Sequence, residues 1–360
     1  MQQDLAQRLL SATLDWNAEQ IEEYRETIED LSDYKYNQYQ QYKPSSRFIE
    51  HLSIWLNQFD SPNERKLALE FILKNLVFIS PAEMLHLIDT AYHEVIEPLI
   101  IEQAVSSLVT DNEKLKNKIY TVIKRSSLFL ALSDGARIDA FRRASKLNHD
   151  QVCVNYDLSE TKFSEILQEM KHDTESMISN DEDIKKQSFQ TPSNIFLIDD
   201  FSGSGISYLR FEEGQWKGKI IKVLNCLYKE KILNLSSPSA NNPNIFIVLY
   251  LATNQAIDSL KNNIEEYTKD KNLKININTV QTIEQVHLSD DEEKWLMRYY
   301  NNEIEDSHYK KGNVSKPYLG FDGCSLALVL YHNTPNNSFP ILWYGDNALF
   351  PRITRHKDVI

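Results

Sequence analysis

One stretch near the middle of the chain constrains the fold more than any other: Ile195-Phe-Leu-Ile-Asp199-Asp200-Phe-Ser202-Gly203-Ser204-Gly205-Ile-Ser207. Four apolar residues run directly into two adjacent carboxylates, and a Ser/Gly turn follows. A short apolar run without alternation is typical of a strand buried in a parallel sheet. The amphipathic run that begins near Ile206 predicts a helix after the turn. The stretch therefore predicts a strand–loop–helix unit of an α/β fold.

The loop after this strand has the composition of an anion-binding site. Its glycines let the backbone turn sharply with its N–H groups facing inward, and its serines add hydroxyl donors. Such a loop at a helix N-terminus favours a phosphate. Asp199 and Asp200 would lie at the carboxyl end of the strand, where open α/β sheets bind their ligands. The predicted phosphate-binding residues are Ser202, Gly203, Ser204, Gly205, Ile206 and Ser207.

The residues around the loop narrow the class of phosphate ligand. A P-loop needs a Lys followed by Ser or Thr after its glycines, and none is present. A dinucleotide fingerprint needs a third glycine at position 208, which is Tyr208. Two carboxylates before the loop instead suit vicinal sugar hydroxyls, with the loop amides on a 5′-phosphate. The alternative is an ordinary strand–turn–helix connection with two solvated aspartates.

This motif resembles the phosphoribosyl pyrophosphate (PRPP) motif of type I phosphoribosyltransferases, from which it departs at Gly203, where that family often has Thr. The resemblance implies that Asp199 and Asp200 are catalytic and hold the ribose hydroxyls. It also implies a pyrophosphate loop after the first core strand, and the segment from Ser127 to Arg143 is similar to one. The residues implied are Ser133, Asp134, Gly135, Ala136 and Arg137, with Mg²⁺ as the cofactor of a diphosphate substrate. The alternative for Arg137 is a surface side chain on a capped βα turn.

The sequence near the carboxyl terminus widens the resemblance. A predicted strand ends in His332-Asn333-Thr334-Pro335-Asn336-Asn337 and continues into Phe339-Pro-Ile-Leu-Trp343. Together with the two loops, this resembles a divergent phosphoribosyltransferase-like domain of prokaryotic anti-phage conflict systems, including retrons, across residues 115–360. The amides of Asn333, Asn336 and Asn337 are candidates for contacting an acceptor or base; alternatively they are turn formers.

The front of the chain reads as helical. Residues 1–33 carry one apolar stripe of helical spacing and are predicted to form one long helix. Ser61, Ser80 and Ser289 each begin a capping box. Two capped helices separated by Val77-Phe-Ile79 suggest a helix-turn-helix or winged-helix-like module. We therefore predict a helical docking or winged-helix-like domain over 1–112. An α/β phosphoribosyltransferase-like domain over 113–360 follows, with a mostly parallel sheet flanked by helices. Further strands are predicted at 220–227, at 245–251 and, as an edge, at 273–280.

Composition excludes some functions and favours a cytoplasmic protein. The formal net charge of −13 argues against unspecific nucleic-acid binding by the whole surface. The chain has 3 widely spaced cysteines, which favours reduced thiols over disulfides or a structural zinc site. Neither a basic leader nor a membrane-length apolar run is present. A local cluster reverses the acidic balance around the predicted pyrophosphate loop: Lys124, Arg125, Arg142, Arg143 and Lys146.

These observations predict a phosphoribosyltransferase-like effector of a bacterial defence system that binds PRPP or a related phosphosugar or nucleotide and acts at the anomeric carbon. The enzyme would be a glycosyltransferase or a nucleotide N-glycosidase. Protein partners would dock on the N-terminal helices. Two alternatives stay open: a catalytically silent nucleotide or PRPP sensor, and a nucleic-acid-associated interaction protein within a defence complex.

Overall fold

A computed structural model describes residues 2–107, 112–153, 160–179, 191–234, 242–300, 304, 309 and 315–353. The helices in chain order are α1 (Gln2–Leu14), α2 (Ala18–Tyr34), α3 (Phe48–Leu56), α4 (Pro62–Asn75), α5 (Pro81–Thr90), α6 (Glu97–Ser106), α7 (Glu113–Arg125), α8 (Ile138–Ser145), α9 (Glu160–Ile178), α10 (Lys219–Lys229), α11 (Asn254–Thr268), α12 (Asp290–Tyr299) and α13 (Pro340–Trp343). The strands are β1 (Val77–Ile79), β2 (Ser127–Ala131), β3 (Val152–Cys153), β4 (Asn194–Ser202), β5 (Arg210–Glu212), β6 (Gln215–Lys217), β7 (Asn244–Thr253), β8 (Ile275–Ile283) and β9 (Leu328–Leu330).

The chain divides into two compact units. Residues 1–84 and 284–360 form the first, and residues 85–283 form the second. The first unit therefore contains chain from both sides of the second. This division cuts the chain at other places than the predicted domains 1–112 and 113–360, whose boundaries stay predictions.

The first unit is helical around a short parallel pair of strands, in which β1 pairs with β9. The predicted capping boxes at Ser61, Ser80 and Ser289 are confirmed by reciprocal side-chain and backbone bonds. The prediction of one helix over residues 1–33 is wrong. The helix breaks at Asp15, whose φ is 57°, and α2 begins anew with a capping box at Asn17.

The winged-helix-like arrangement is not confirmed. The segment predicted to be a turn between the two capped helices, residues 77–79, is β1, and its partner strand lies about 250 residues further along the chain. A turn between α4 and α5 would leave these backbone groups to solvent, whereas strand pairing satisfies them.

The second unit contains a parallel five-stranded sheet with the order β3-β2-β4-β7-β8. The α/β class and the parallel sheet flanked by helices are thus confirmed, and β8 lies at the edge as predicted. From β2 the chain moves outward to β3 and then returns to the other side of β2 at β4. Strand order reverses there, and the carboxyl ends of β2 and β4 border a topological switch point.

The two faces of this sheet differ in their side chains. One face is aliphatic and buried against α9, α10 and α11, with Ile195, Leu197 and Ile247 at its centre. On the other face, Phe129, Phe196 and Phe246 occupy one register row, and their rings stack with centroids 5.0 Å apart. A slip of one residue would turn each strand's Phe to the opposite face, so this row fixes the register.

The predicted strand at 220–227 is wrong, because these residues belong to α10. Buried side chains recur at Ile220, Val223, Leu224 and Leu227, which is the spacing of one helix face. No helix begins directly at Ile206 either: a turn leads into the hairpin of β5 and β6, and α10 comes after it.

None of the helices in the described part of the chain combines the length and apolar character that a bilayer crossing requires.

Candidate functional site

The two loops that the sequence singled out meet at the switch point of the sheet. One follows β2 and contains Gly135; the other begins within β4 at Asp199 and Asp200. A methyl group added at Gly135 would overlap the Asp200 carboxylate, so that side chain lies directly against the glycine backbone. Ser133 binds Asp199 across the same gap. The structure therefore brings together the predicted acids and the predicted pyrophosphate loop.

Asp199 is fully buried and bound by protein groups on both oxygens. Oδ1 accepts from the Ser133 hydroxyl, and Oδ2 accepts from the Tyr208 hydroxyl at 2.7 Å and from Lys219 Nζ at 2.6 Å. Burial raises the pKa of Asp199 above its ordinary value, and the Lys219 ammonium opposes that rise. Asp199 thus orients its neighbours and presents no free oxygen to a ligand.

Lys219 and Tyr208 are site residues that the sequence interpretation missed. The Lys219 ammonium lies 4.9 Å from the centre of the Tyr208 ring, and its side chain keeps 27% of its exposure. Gly218, with φ of 126°, lets α10 begin against Tyr208, because a larger residue there would overlap the Tyr208 carbonyl. The prediction of a strand at 220–227 prevented us from recognising the start of this helix. Gly218, followed by apolar residues at helical spacing, would have indicated it.

The rim beside Asp199 is accessible. Asp200, Ser133 and Gly135 are partly exposed, and Asp134 is exposed. Arg137 adopts a left-handed backbone with φ of 45° and keeps 39% of its side chain exposed, with Nε 3.7 Å from Asp139. A non-glycine residue in this conformation costs about 1–2 kcal/mol, which is common in site loops. This rim offers carboxylates, a hydroxyl and a guanidinium to a ligand.

The turn at Ser133–Arg137 is bonded to strand β7. The Tyr250 hydroxyl of β7 donates to the Ala136 carbonyl at 2.8 Å. Burial, and then the charges of Asp200 and Asp199, raise the pKa of Tyr250 well above its ordinary value, so it stays a neutral donor. This hydrogen bond therefore fixes the position of the Ser133–Arg137 loop relative to strand β7.

The predicted phosphate loop is a mostly buried bend. Ser202, Gly203, Ser204 and Gly205 are buried, whereas Ile206 is partly exposed and Ser207 is exposed. Gly205 has φ of 76° and approaches the Ala256 carbonyl of α11. Because α10 begins later, its first N–H groups donate back to the Ser207 and Tyr208 carbonyls and are not free for an anion. The helix-dipole argument for this loop is therefore wrong.

The bend nevertheless keeps unused donors. Within the described residues, no acceptor pairs with the N–H groups at positions 204–207, and the buried hydroxyl of Ser202 also has no partner. The Gly203 carbonyl faces the other way and accepts from Thr253. Buried N–H groups are nearly always paired in folded proteins, so a run of unused ones is a feature of anion-binding turns.

Arg125, one of the basic residues near the predicted pyrophosphate loop, has a structural position. Arg125, counted with the basic cluster, is 4% exposed and bound to Asp150 and Asp173, so it stabilises the fold. Arg125 also holds the pKa of Asp173 below its ordinary value through their hydrogen bond.

The asparagines near the carboxyl terminus lie in the first unit and bind locally. Asn333 accepts from the Ile353 N–H, and Asn337 donates to Phe321 and Cys324. Asn336 supplies its carbonyl to the Phe321 N–H. These bonds are those of turn formers, which was the alternative interpretation, and a base-contacting role for the three stays a prediction.

A divalent ion at this site would depend on its ligand. The described residues contain no group of three His, Cys, Asp or Glu side chains placed to hold a metal. Mg²⁺ commonly binds through one or two carboxylates together with substrate phosphates. The exposed Asp134 and the partly exposed Asp200 fit that limited role.

Comparison with known proteins gives one match. The profile of the PRTase-CE family matches residues 52–352, which include both loops of the site. Neither the curated proteins nor the solved structures contain a significant match to this chain.

Proposed function

The chain belongs to the PRTase-CE family, and from that premise we propose that its phosphoribosyltransferase-like domain binds PRPP or a related phosphosugar or nucleotide at the switch point between β2 and β4. There it acts at the anomeric carbon. The observation that carries this proposal is the contact of Asp200 with Gly135, since it joins the acid pair of one loop to the backbone of the other. A sugar that bears phosphates at both ends can contact both loops only if the loops are no further apart than the length of the ligand.

In this proposal the two acids have different tasks. Asp200 accepts hydrogen bonds from the sugar hydroxyls, because its carboxylate is at the accessible rim. Asp199 is a positioning residue, since both of its oxygens already bind protein donors. An oxocarbenium-like centre gains from a fixed carboxylate nearby, and a carboxylate that is already oriented needs little reorganisation.

The phosphates are assigned to backbone donors and to Arg137. The unused N–H groups of residues 204–207, reached from the exposed end at Ser207, bind the 5′-phosphate. The Ser133–Ala136 turn and the Arg137 guanidinium bind pyrophosphate. Mg²⁺, held by the diphosphate with Asp134 or Asp200, would neutralise part of the ligand charge.

Calorimetric titration of the full chain with PRPP and Mg²⁺ tests this proposal. We expect binding by the wild type and at least about a tenfold loss in Gly135→Ala and in Asp200→Asn, because each displaces or neutralises the central carboxylate. Glu213→Gln is the matched control, since Glu213 is an 80% exposed acid on the β5–β6 hairpin. A wild type that binds neither PRPP nor nucleotides at millimolar concentration would refute the assignment.

The full occupancy of Asp199 favours a second candidate, a sensor that binds the ligand without turnover. Mass spectrometry of the wild type with PRPP, and separately with nucleotides, distinguishes the two. Released pyrophosphate or free base that disappears in Asp200→Asn supports an enzyme. Tight binding with no product in the presence of partner proteins supports the sensor.

We further propose that the protein is an effector of a bacterial defence system, in the cytoplasm, with partners that dock on its N-terminal helices. This rests on the sequence resemblance and on exposed apolar side chains such as Tyr34 and Ile54, which are 75% and 50% accessible. Phage plating on cells that carry the wild-type system or Asp200→Asn tests it. Equal plating on both strains would oppose the role.

A further inference from the structure

Strand β8 forms an open edge of the five-stranded sheet. It is last in the strand order, and among the described strands it pairs only with β7. The Ile245 N–H of β7 donates to the Lys274 carbonyl at 3.0 Å, so the even-numbered residues of β8 direct their main-chain groups toward β7. No described residue pairs with the N–H and C=O groups of the odd-numbered residues, which point outward: Ile275, Ile277, Thr279, Gln281 and Ile283.

The space beside this edge is open. A cavity of about 690 Å³ is lined by the consecutive residues 275–278, by α6 and by α11. Ile277 lies on the sheet face that packs against α11, whereas Asn276 shares a register row with Phe246 on the opposite face. Because its lining comes from both faces of one strand, the cavity passes around the outer edge of that strand. The outer edge of β8 is therefore accessible between the two helices.

β8 lacks the features that usually protect an edge strand. Natural edge strands discourage pairing with other chains by lysines, prolines, bulges or short length. Ile275–Ile283 has 9 residues, none of which is charged, proline or glycine, and its register with β7 is constant. A strand of this kind is a template on which another strand can pair.

The sequence of β8 is complementary to itself in antiparallel orientation. Pairing of two copies over the whole strand places Thr279 opposite the same residue of the second copy, on a two-fold axis. Outward-facing residues then meet only outward-facing residues, so each such pair can exchange two main-chain hydrogen bonds. Ile275 lies opposite Ile283, and Ile277 lies opposite Gln281. No other register pairs the strand over its full length.

The same register brings opposite charges together at both ends of the strand. Lys274 directly precedes β8 and Glu284 directly follows it; both are exposed, and neither has an ion-pair partner among the described residues. In the antiparallel pair, Lys274 of each copy lies opposite Glu284 of the other, at a position where the side chains of the two strands approach closely. A peptide of unrelated sequence would not share this match, so the charges favour a second copy as the occupant.

We propose that β8 is a dimerisation edge, on which a second copy of this chain adds its own β8 in antiparallel orientation. The two five-stranded sheets then form one continuous sheet across a two-fold axis at Thr279. This edge shares no residue with the proposed phosphosugar site, so the dimer holds or fails independently of that function.

Sedimentation velocity of the full chain over a range of concentrations tests the proposal. We expect a reversible monomer–dimer equilibrium in the wild type. Lys274→Glu and Glu284→Lys should each raise the dissociation constant about tenfold, because each places like charges at both ends of the strand pair. Lys222→Glu is the matched control, since it makes the same charge change at an exposed lysine on α10 and should leave the dissociation constant unchanged.

An equimolar mixture of the two charge variants gives a readout that a folding defect would not imitate. A mixed dimer has one attractive pair at each end, so the mixture should dimerise about as tightly as the wild type. Hydrogen exchange of the amides at 277, 279 and 281 should also slow as the wild type dimerises, because these N–H groups become paired.

Three results would each overturn the proposal. One is a wild type that stays monomeric at millimolar concentration, which would leave this edge to another partner. Another is a dimer that neither Lys274→Glu nor Glu284→Lys weakens, which would place the contact on a different surface. The third is a loss in the single variants that their mixture does not recover, since the register centred on Thr279 requires that recovery.

Discussion

Each end of β4 buries one polar side chain, and the two ends satisfy its hydrogen bonds with different kinds of partner. At its amino end Asn194 is buried among neutral amides and the Ser127 hydroxyl. At its carboxyl end Asp199 is buried beside an ammonium, a phenol and a serine. Both side chains are 0% exposed and both are fully bonded. The difference is that one network is neutral and the other depends on a charge pair.

This difference teaches which end can tolerate change. A neutral amide loses a hydrogen bond when its partner is removed, whereas a buried carboxylate loses the cation that makes its burial affordable. The charged end is therefore the more fragile one, and it is also where the ligand of the proposed reaction would bind. Three measurements, from the largest expected effect to the smallest, examine this contrast.

Removal of the cation should have the largest effect. Lys219→Met leaves Asp199 buried without its ion pair, and we expect the free energy of unfolding to fall by about 2–4 kcal/mol. Urea denaturation measures it. Asp199→Asn combined with Lys219→Met should recover part of the loss, since a neutral amide needs no cation. A loss below about 0.5 kcal/mol in the single variant would mean that the ion pair does not stabilise the fold.

The corresponding change at the neutral end should cost less. Asn194→Leu removes the bonds to Gln103 and Ser127, and we expect a loss of about 1–3 kcal/mol in the same urea experiment. Gln103→Leu, which removes only the α6 partner, should cost less than Asn194→Leu. An Asn194→Leu loss larger than that of Lys219→Met would reverse the proposed order of the two ends.

The pH dependence should show the smallest effect. Burial raises the pKa of Asp199 in the folded protein, so its contribution to stability is full below the unfolded pKa of about 3.9 and is lost as pH rises through the folded value. The stability advantage of wild type over Asp199→Asn should therefore shrink with rising pH, by about 1.4 kcal/mol for each unit of pKa shift. The difference between wild type and Asn194→Leu should stay flat, because no group titrates there. An advantage over Asp199→Asn that grows with pH would contradict the raised pKa.

Local sequence was sufficient to predict strands β2, β4 and β7 and the two loops, because each of these strands is a contiguous apolar run that ends in turn or acidic residues. It was insufficient for Lys219, since an apolar run such as Ile220–Leu227 fits a strand and a helix face equally until tertiary packing decides. The hydrogen-bonded amides around Asn194 were not predicted for a different reason. Asn194 and Asn244 are 50 positions apart and become neighbours only through strand register.

The pairing of β1 with β9 has a consequence for synthesis on the ribosome. β1 (Val77–Ile79) can pair only after β9 (Leu328–Leu330) has been synthesised. The first compact unit therefore cannot complete its folding until nearly the whole polypeptide has emerged. The inserted unit, complete by residue 283, is able to form earlier. Nascent chains would therefore carry a folded second unit, with the proposed phosphosugar site in it, while the helices at the front are still unassembled.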